Sequence, residues 1–139
     1  MNKNVMIKIG SMQSIDGEDS PWSELITEGE YSVGEDGIRF SYMESELTGL
    51  EGVKTEFFVT PLEATLARSG AITAQMIFHQ GERHTFLYET PYGAMTMRID
   101  THKLSHNLSE AGGCMEIEYD IDLENAVLSR NKFIIEIKM

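Results

Sequence analysis

The residues Met115–Leu123 alternate apolar and acidic side chains without a break: Met, Glu, Ile, Glu, Tyr, Asp, Ile, Asp, Leu. A helix would set its apolar residues three and four apart. A period of two belongs to a β-strand with one dry face and one wet face. The same alternation recurs along most of the chain, and turn residues separate the runs. It predicts strands over Lys3–Gln13, Glu24–Val33, Ile38–Ser45, Val53–Thr60, Leu62–Ser69, Ile72–Gln80, Arg83–Thr90, Ala94–Leu104, Met115–Leu123 and Ala126–Met139. Between them, Ser14–Ser23 reads as a loop, Gly34–Gly37 as a hairpin turn with glycine where φ is positive, and Glu46–Gly52 as a tight connection. Turns are also expected around Ser69–Ala71, Gln80–Glu82 and Pro91–Gly93.

No segment has the pattern of an amphipathic helix, and no repeat or linker divides the chain. Short strands joined by successive hairpins imply an up-and-down meander. A twisted meander this long would leave long edges exposed unless it curled and closed. The expected fold is therefore all-β: one domain over residues 1–139, a single closed antiparallel barrel of about eight to ten strands, with an interior that holds side chains or one small ligand.

Composition narrows the partners. The 139 residues include 11 Lys and Arg against 23 Asp and Glu, a net charge of −12. Such a chain repels phosphate backbones and anionic bilayers, so neither nucleic acid nor membrane is an expected partner. Glutamates on the outer face of a sheet also discourage edge-to-edge association. Paired Lys and Glu strands leave a homodimer open without specifying one. The lone cysteine, Cys114, makes no internal disulfide and reads as a small core residue. The first ten residues lack the apolar stretch of a secretion signal, and no run approaches the ~18 apolar residues of a membrane helix. The expected compartment is the reducing cytoplasm.

Strand parity marks the candidate site. Arg68 shares a face with Leu62, Ala64 and Leu66, and Glu44 shares one with Ile38, Phe40 and Tyr42. Both charges point where apolar residues point, and a buried charge needs a partner. Arg68 is expected inside the barrel or at its mouth, near Glu44, Tyr42 or Tyr88. There it would either grip a ligand carboxylate or phosphate, or close an internal ion pair. Met76, Met95, Met97 and Met115 fall on the same inner face, where methionine adapts to irregular gaps or to varied apolar ligands. The candidate ligand-binding set is thus Arg68, Glu44, Tyr42, Tyr88, Met76 and Met97.

Other chemistry finds little footing. His79 and His84 flank a short turn, with both rings read as outward, and two ligands make a weak metal site. His102 and His106 lie about 13 Å apart on a strand, too far for one ion. Cys114 has no basic neighbour to activate it, and no Gly-x-Ser-x-Gly elbow or phosphate loop is present. Glu116, Glu118, Asp120 and Asp122 line one strand face, read as the solvated one. No catalytic residue, metal or cofactor is expected. Trp22 reads as a lid over one barrel end or as a packed loop anchor.

Tyr42–Gly52, Arg68–Gly70, Tyr88–Gly93 and Glu110–Gly113 together resemble the YwiB-like proteins, small cytosolic bacterial β-barrels grouped as a domain of unknown function. The Thr48–Gly52 and Thr90–Gly93 pieces are the more specific. The resemblance spans nearly the whole chain. It implies a calycin-like barrel, distantly lipocalin-like, and brings no activity and no catalytic residues. The function expected is a non-enzymatic barrel holding a small amphipathic or anionic molecule. The alternative is a solidly packed interaction module that uses the Glu46–Gly52 and Pro91–Gly93 loops. A catalytic barrel would need Arg68, Glu44 and Tyr88 around one common point.

Overall fold

The computed structural model describes residues 3–15, 18–44, 52–70, 72–123 and 126–139, with 126–128 for the backbone only. Eleven strands account for most of them: β1 (Lys3–Ile15), β2 (Glu18–Asp19), β3 (Ser23–Val33), β4 (Ile38–Met43), β5 (Lys54–Val59), β6 (Ala64–Ser69), β7 (Ala74–Phe78), β8 (Arg83–Thr90), β9 (Gly93–His106), β10 (Gly113–Leu123) and β11 (Ala126–Lys138). No helix occurs among the described residues.

Every ladder is antiparallel, and the neighbours run β7-β6-β5-β4-β3-β1-β11-β10-β9-β8. Read as a ring, this is sequence order, with β1 and β11 paired from Met6 opposite Lys138 to Ser14 opposite Arg130. The expected up-and-down barrel is therefore present, with ten strands in the ring. Its seam does not fall between the first and last strands. It falls between β7 and β8, where one bridge joins Thr73 to Glu89. That pair exchanges two hydrogen bonds, Thr73 N–H to the Glu89 carbonyl at 3.0 Å and Glu89 N–H to the Thr73 carbonyl at 2.9 Å.

The predicted Ser14–Ser23 loop is shorter than expected. β1 runs on to Ile15, and Glu18 and Asp19 fold back to pair with Ile15 and Ser14. The β3–β4 turn behaves as its glycines predict: Gly34 N–H donates to the Gly37 carbonyl at 2.9 Å. Gly37 takes φ +149°, and a Cβ there would strike the Val59 carbonyl. Much of the Glu46–Gly52 connection, including four residues of the Thr48–Gly52 motif, lies outside the described residues.

Alternation delivers one dry face. Val5, Ile7, Tyr31, Phe40, Phe57, Val59, Leu66, Phe78, Ile99, Met115, Ile117 and Ile135 are all but sealed from solvent. They crowd the end of the barrel where β1 begins and β11 finishes. Phe40 stacks on Phe57 with centroids 4.8 Å apart, and Tyr31 leans on Phe40 at 6.3 Å. The segment joining β9 to β10 folds over this end. Leu108 is buried there, and the Tyr31 hydroxyl donates to the Ser109 carbonyl at 2.7 Å.

The outer face carries the charges. Lys132 bridges Glu116 at 3.4 Å and Glu118 at 3.6 Å, and Lys103 reaches Glu116 at 3.2 Å. The acidic face of β10 is not uniformly solvated, however. Asp120 and Asp122 are 7% and 8% exposed. A bulge in β9 makes His102 the extra residue between the Glu118–Lys103 and Tyr119–Thr101 pairs. A bulge folds its strand locally and re-aims a side chain. His102 Nε2 thereby comes within 3.0 Å of Asp120, while Arg130 approaches from β11 at 3.8 Å. Cys114 is also corrected: it lies opposite Glu136 on the outer face and is only partly covered. Burial, then the Glu136 and Glu116 charges, push its thiol up.

Candidate functional site

The end opposite the aromatic plug is open. Here β1, β4, β6, β8 and β10 finish and β3, β5, β7, β9 and β11 begin. A cavity of about 680 Å³ enters the barrel from this end. One flank is apolar: Met76 from β7, Phe86 and Tyr88 from β8, Met97 from β9, and Tyr119 and Ile121 from β10. The other is polar, with Ser11 and Gln13 from β1 and Ser129 and Asn131 from β11. Phe133 closes the floor between them. Tyr119 links this floor to the packed end, its ring 4.8 Å from Phe78 and 5.8 Å from Phe133.

Arg68 is the one charged side chain on the wall among the described residues. Strand register explains how it arrives there. On the inner face, Tyr42 stands opposite Thr55, Thr55 opposite Arg68, and Arg68 opposite Ala74. This row crosses β4, β5, β6 and β7 at one level. Glu44 lies one inward position beyond Tyr42, 6% exposed, and accepts a hydrogen bond from the Thr55 hydroxyl at 3.0 Å. The Tyr42 hydroxyl also bonds Glu44. Burial above all, and then the Glu44 charge, hold Tyr42 protonated well beyond the usual phenol range; the Arg68 charge acts the other way. Arg68 opposes a burial-driven rise in Tyr119 as well. The guanidinium is thus felt on both sides of the barrel. Its Nε is nonetheless buried with no hydrogen-bond partner among the described residues.

The six residues singled out by parity therefore occupy two places. Arg68, Tyr88, Met76 and Met97 line the cavity, whereas Tyr42 and Glu44 are buried beside Arg68 without reaching its wall. Met95 shares the parity of Met97 but is 45% exposed, because it pairs with Tyr88 at the rim where nothing lies above it. Phe86, Tyr119, Asn131 and Phe133 were not singled out from the sequence. The signal was available, since Ser129, Asn131, Phe133, Ile135 and Ile137 share one parity in β11, and two of them are polar.

Trp22 is not a lid. Its ring lies on Gly10, on the outside of β1, where the missing side chain leaves room for it. Its indole N–H donates to Glu24 at 3.0 Å. His79 and His84 do converge, both on Glu82, with Nδ1 of the first 2.9 Å and Nε2 of the second 3.5 Å from its carboxylate. His84 has the inward parity of Phe86, contrary to the outward reading, and its Nε2 is buried. Among the described residues, no three His, Cys, Asp or Glu side chains are grouped to hold a metal ion, and no helix is long and apolar enough to cross a membrane.

Comparison with known proteins agrees with this architecture. A family model described as a domain of unknown function (DUF1934) matches residues 7–135. The uncharacterized beta-barrel protein YwiB of Bacillus subtilis (strain 168) is 30% identical over 98 residues, 70% of this chain and 68% of that protein. The crystal structure of the ywiB protein from Bacillus subtilis aligns with a TM-score of 0.84 at 25% identity, covering 99% of this chain and 94% of that one.

Proposed function

The chain belongs to the DUF1934 family, whose description carries no activity, and from that premise we propose that it is a non-enzymatic, lipocalin-like container for a small amphipathic anion. The reading rests on one observation: among the described residues, a single cation, Arg68, lines a cavity of about 680 Å³, and its buried Nε has no hydrogen-bond partner. Binding sites for small molecules are concave and mostly apolar, carry a few placed polar groups, and span ~300–1,000 Å³. A buried N–H without an acceptor costs about 1–3 kcal/mol, a penalty that a bound anion would offset.

Met76 and Met97 give the apolar flank an adaptable surface. Glu44 is turned to Thr55 and Tyr42 and does not line the cavity, so the arrangement does not assemble a general base, a nucleophile and a bound substrate around one point. Among the described residues the wall carries no charged side chain besides Arg68, which favours holding a molecule over transforming it.

Native mass spectrometry of protein purified from cells tests the reading, together with titration of the purified protein by the anionic fluorophore 1-anilinonaphthalene-8-sulfonate. Retained small-molecule mass, or saturable fluorescence lost in Arg68→Met, supports it. A barrel that carries nothing and takes up no probe overturns it.

A second reading has one observation in its favour. Tyr92 is 99% exposed at the β8–β9 turn, with Met95 and Leu87 nearly half exposed on the strands below. Such a tip suits docking to another protein, and crosslinking through a photoreactive residue at position 92 would show a partner if the barrel has one.

A further inference from the structure

Taking the container reading as given, we infer that the cavity selects singly charged organic carboxylates over both phosphomonoesters and uncharged amphiphiles.

The unused donor carries the first half of the argument. Arginine offers donors in a fixed planar fork, and Nε–H lies parallel to one Nη–H at the spacing of two carboxylate oxygens. Nε of Arg68 is unbonded and covered, so a ligand completes the side-on edge of the fork once the side chain on the cavity wall turns toward it. A planar carboxylate fills it with two parallel bonds. An uncharged alcohol offers one weak acceptor and leaves the other donor orphaned.

The surroundings carry the second half. Arg68 is the only charged side chain among the described cavity residues, in a chain of net charge −12. Glu44 lies one inward position beyond its row, buried, and the electrostatics of Tyr42 register both charges. Among the described residues, the cavity end therefore holds one cation with one anion close behind it. A monoanion takes this set one negative charge past balance, and a dianion takes it two. The second negative charge of a phosphomonoester finds no counterion in a desolvated site, where an unpaired charge is far more costly than in water. The remaining lining near the mouth, Ser129 and Asn131, supplies uncharged hydrogen-bonding groups, which suit a polar tail end but neutralise nothing.

The test is a matched ten-carbon series on the purified full chain: decanoate, decyl phosphate and decanol, each below its micellar concentration, read by displacement of 1-anilinonaphthalene-8-sulfonate and by calorimetry at pH 8. Decanoate is expected to bind at least about tenfold tighter than either, the low end for a hydrogen bond to a charged group. Decyl phosphate should gain on decanoate at pH 5, because its second charge is lost near pH ~6. Arg68→Met should bring decanoate down to decanol. Arg68→Lys, which keeps the charge without the fork, should fall between them. Decyl phosphate binding as tightly as decanoate at pH 8 overturns the inference, as does decanol equalling decanoate, and in both cases the container reading survives. If none of the three ligands nor the fluorophore binds, the container reading fails and takes the inference with it.

Discussion

Thr55 and Arg68 face each other across the β5–β6 ladder, yet the Thr55 hydroxyl turns to Glu44 at 3.0 Å and leaves the guanidinium Nε unbonded. Two neighbours on one inner face have thus been given different tasks. One closes a buried polar network; the other stands at the cavity wall.

Arg68→Met should leave stability unchanged or raise it. The substitution removes a buried donor whose lack of an acceptor costs about 1–3 kcal/mol, and methionine fills the space flexibly. Urea unfolding of both proteins reads the change. A loss above roughly 2 kcal/mol would mean that Arg68 is a structural pair member after all.

Glu44 should behave in the opposite way. Glu44→Leu strips the Thr55 and Tyr42 hydroxyls of their shared acceptor, and each orphan costs about 1–3 kcal/mol, so a drop of at least ~2 kcal/mol is expected. Glu44→Gln keeps one acceptor oxygen and should lose about half as much. In the double variant Glu44→Leu with Arg68→Met, the two effects should not simply add, because the two residues share neighbours.

The two rows of inference differ in how legible they were. The faces of Arg68 and Glu44 follow from parity alone, because a strand has no choice but to alternate. The strand phases also place Met76, Met97 and Tyr88 correctly on the inner face. Parity does not say how far along the barrel a residue sits, which is why Met95, on the right face, ends up on the rim. Nor does it foresee bulges: His102 is an extra residue in β9, and Asp120 is covered as a result. Trp22 settles on the outside because Gly10 makes a hollow there, and Cys114 follows the outer phase of Glu116, not the inner phase of Met115. The position of the seam depends on how two short strands diverge after a tight turn, a property of the closed ring and of no local segment.

Alkaline pH should unfold the protein. Tyr42 and Tyr119 are held protonated by burial, beyond the value near 10 of a free phenol. Ionisation is easier in the unfolded chain, so the contribution is complete below pH ~10 and is lost as pH rises above it, by up to ~1.4 kcal/mol per pH unit for each group. Urea midpoints at pH 8, 10 and 11 should fall only in the last interval. Tyr42→Phe should flatten that fall, and a midpoint that stays level to pH 11 contradicts the assignment.

Gly10→Ala should expel Trp22 from its seat. The new methyl group would occupy the space now filled by the indole, and the Glu24 hydrogen bond would go with it. Trp22 is the only tryptophan, so its emission reports the event directly. A red shift with a stability loss of about 1–2 kcal/mol is expected, in the usual range for single substitutions. An unshifted spectrum would show that the ring is not held there.

Amide exchange should be fastest along the seam. β7 and β8 face each other across a single bridge, whereas β10 and β11 are bonded on both edges. Local opening follows the weakest backbone pairing. Deuterium uptake measured by mass spectrometry should therefore rise first in peptides from Ala74–Thr90. Protection there equal to that of β10 and β11 would mean that the two strands are tied together by more than the Thr73–Glu89 pair.

β11 lies between β10 and β1, bonded along both of its edges. A ribosome makes it after β1 to β10. Until β11 has emerged, β1 and β10 each keep one long edge bare, although β3 and β9 already cover their other edges. Borders of that kind recruit other chains. Any chain lacking β11 keeps both borders open, so this one strand decides whether the sheet can close on itself.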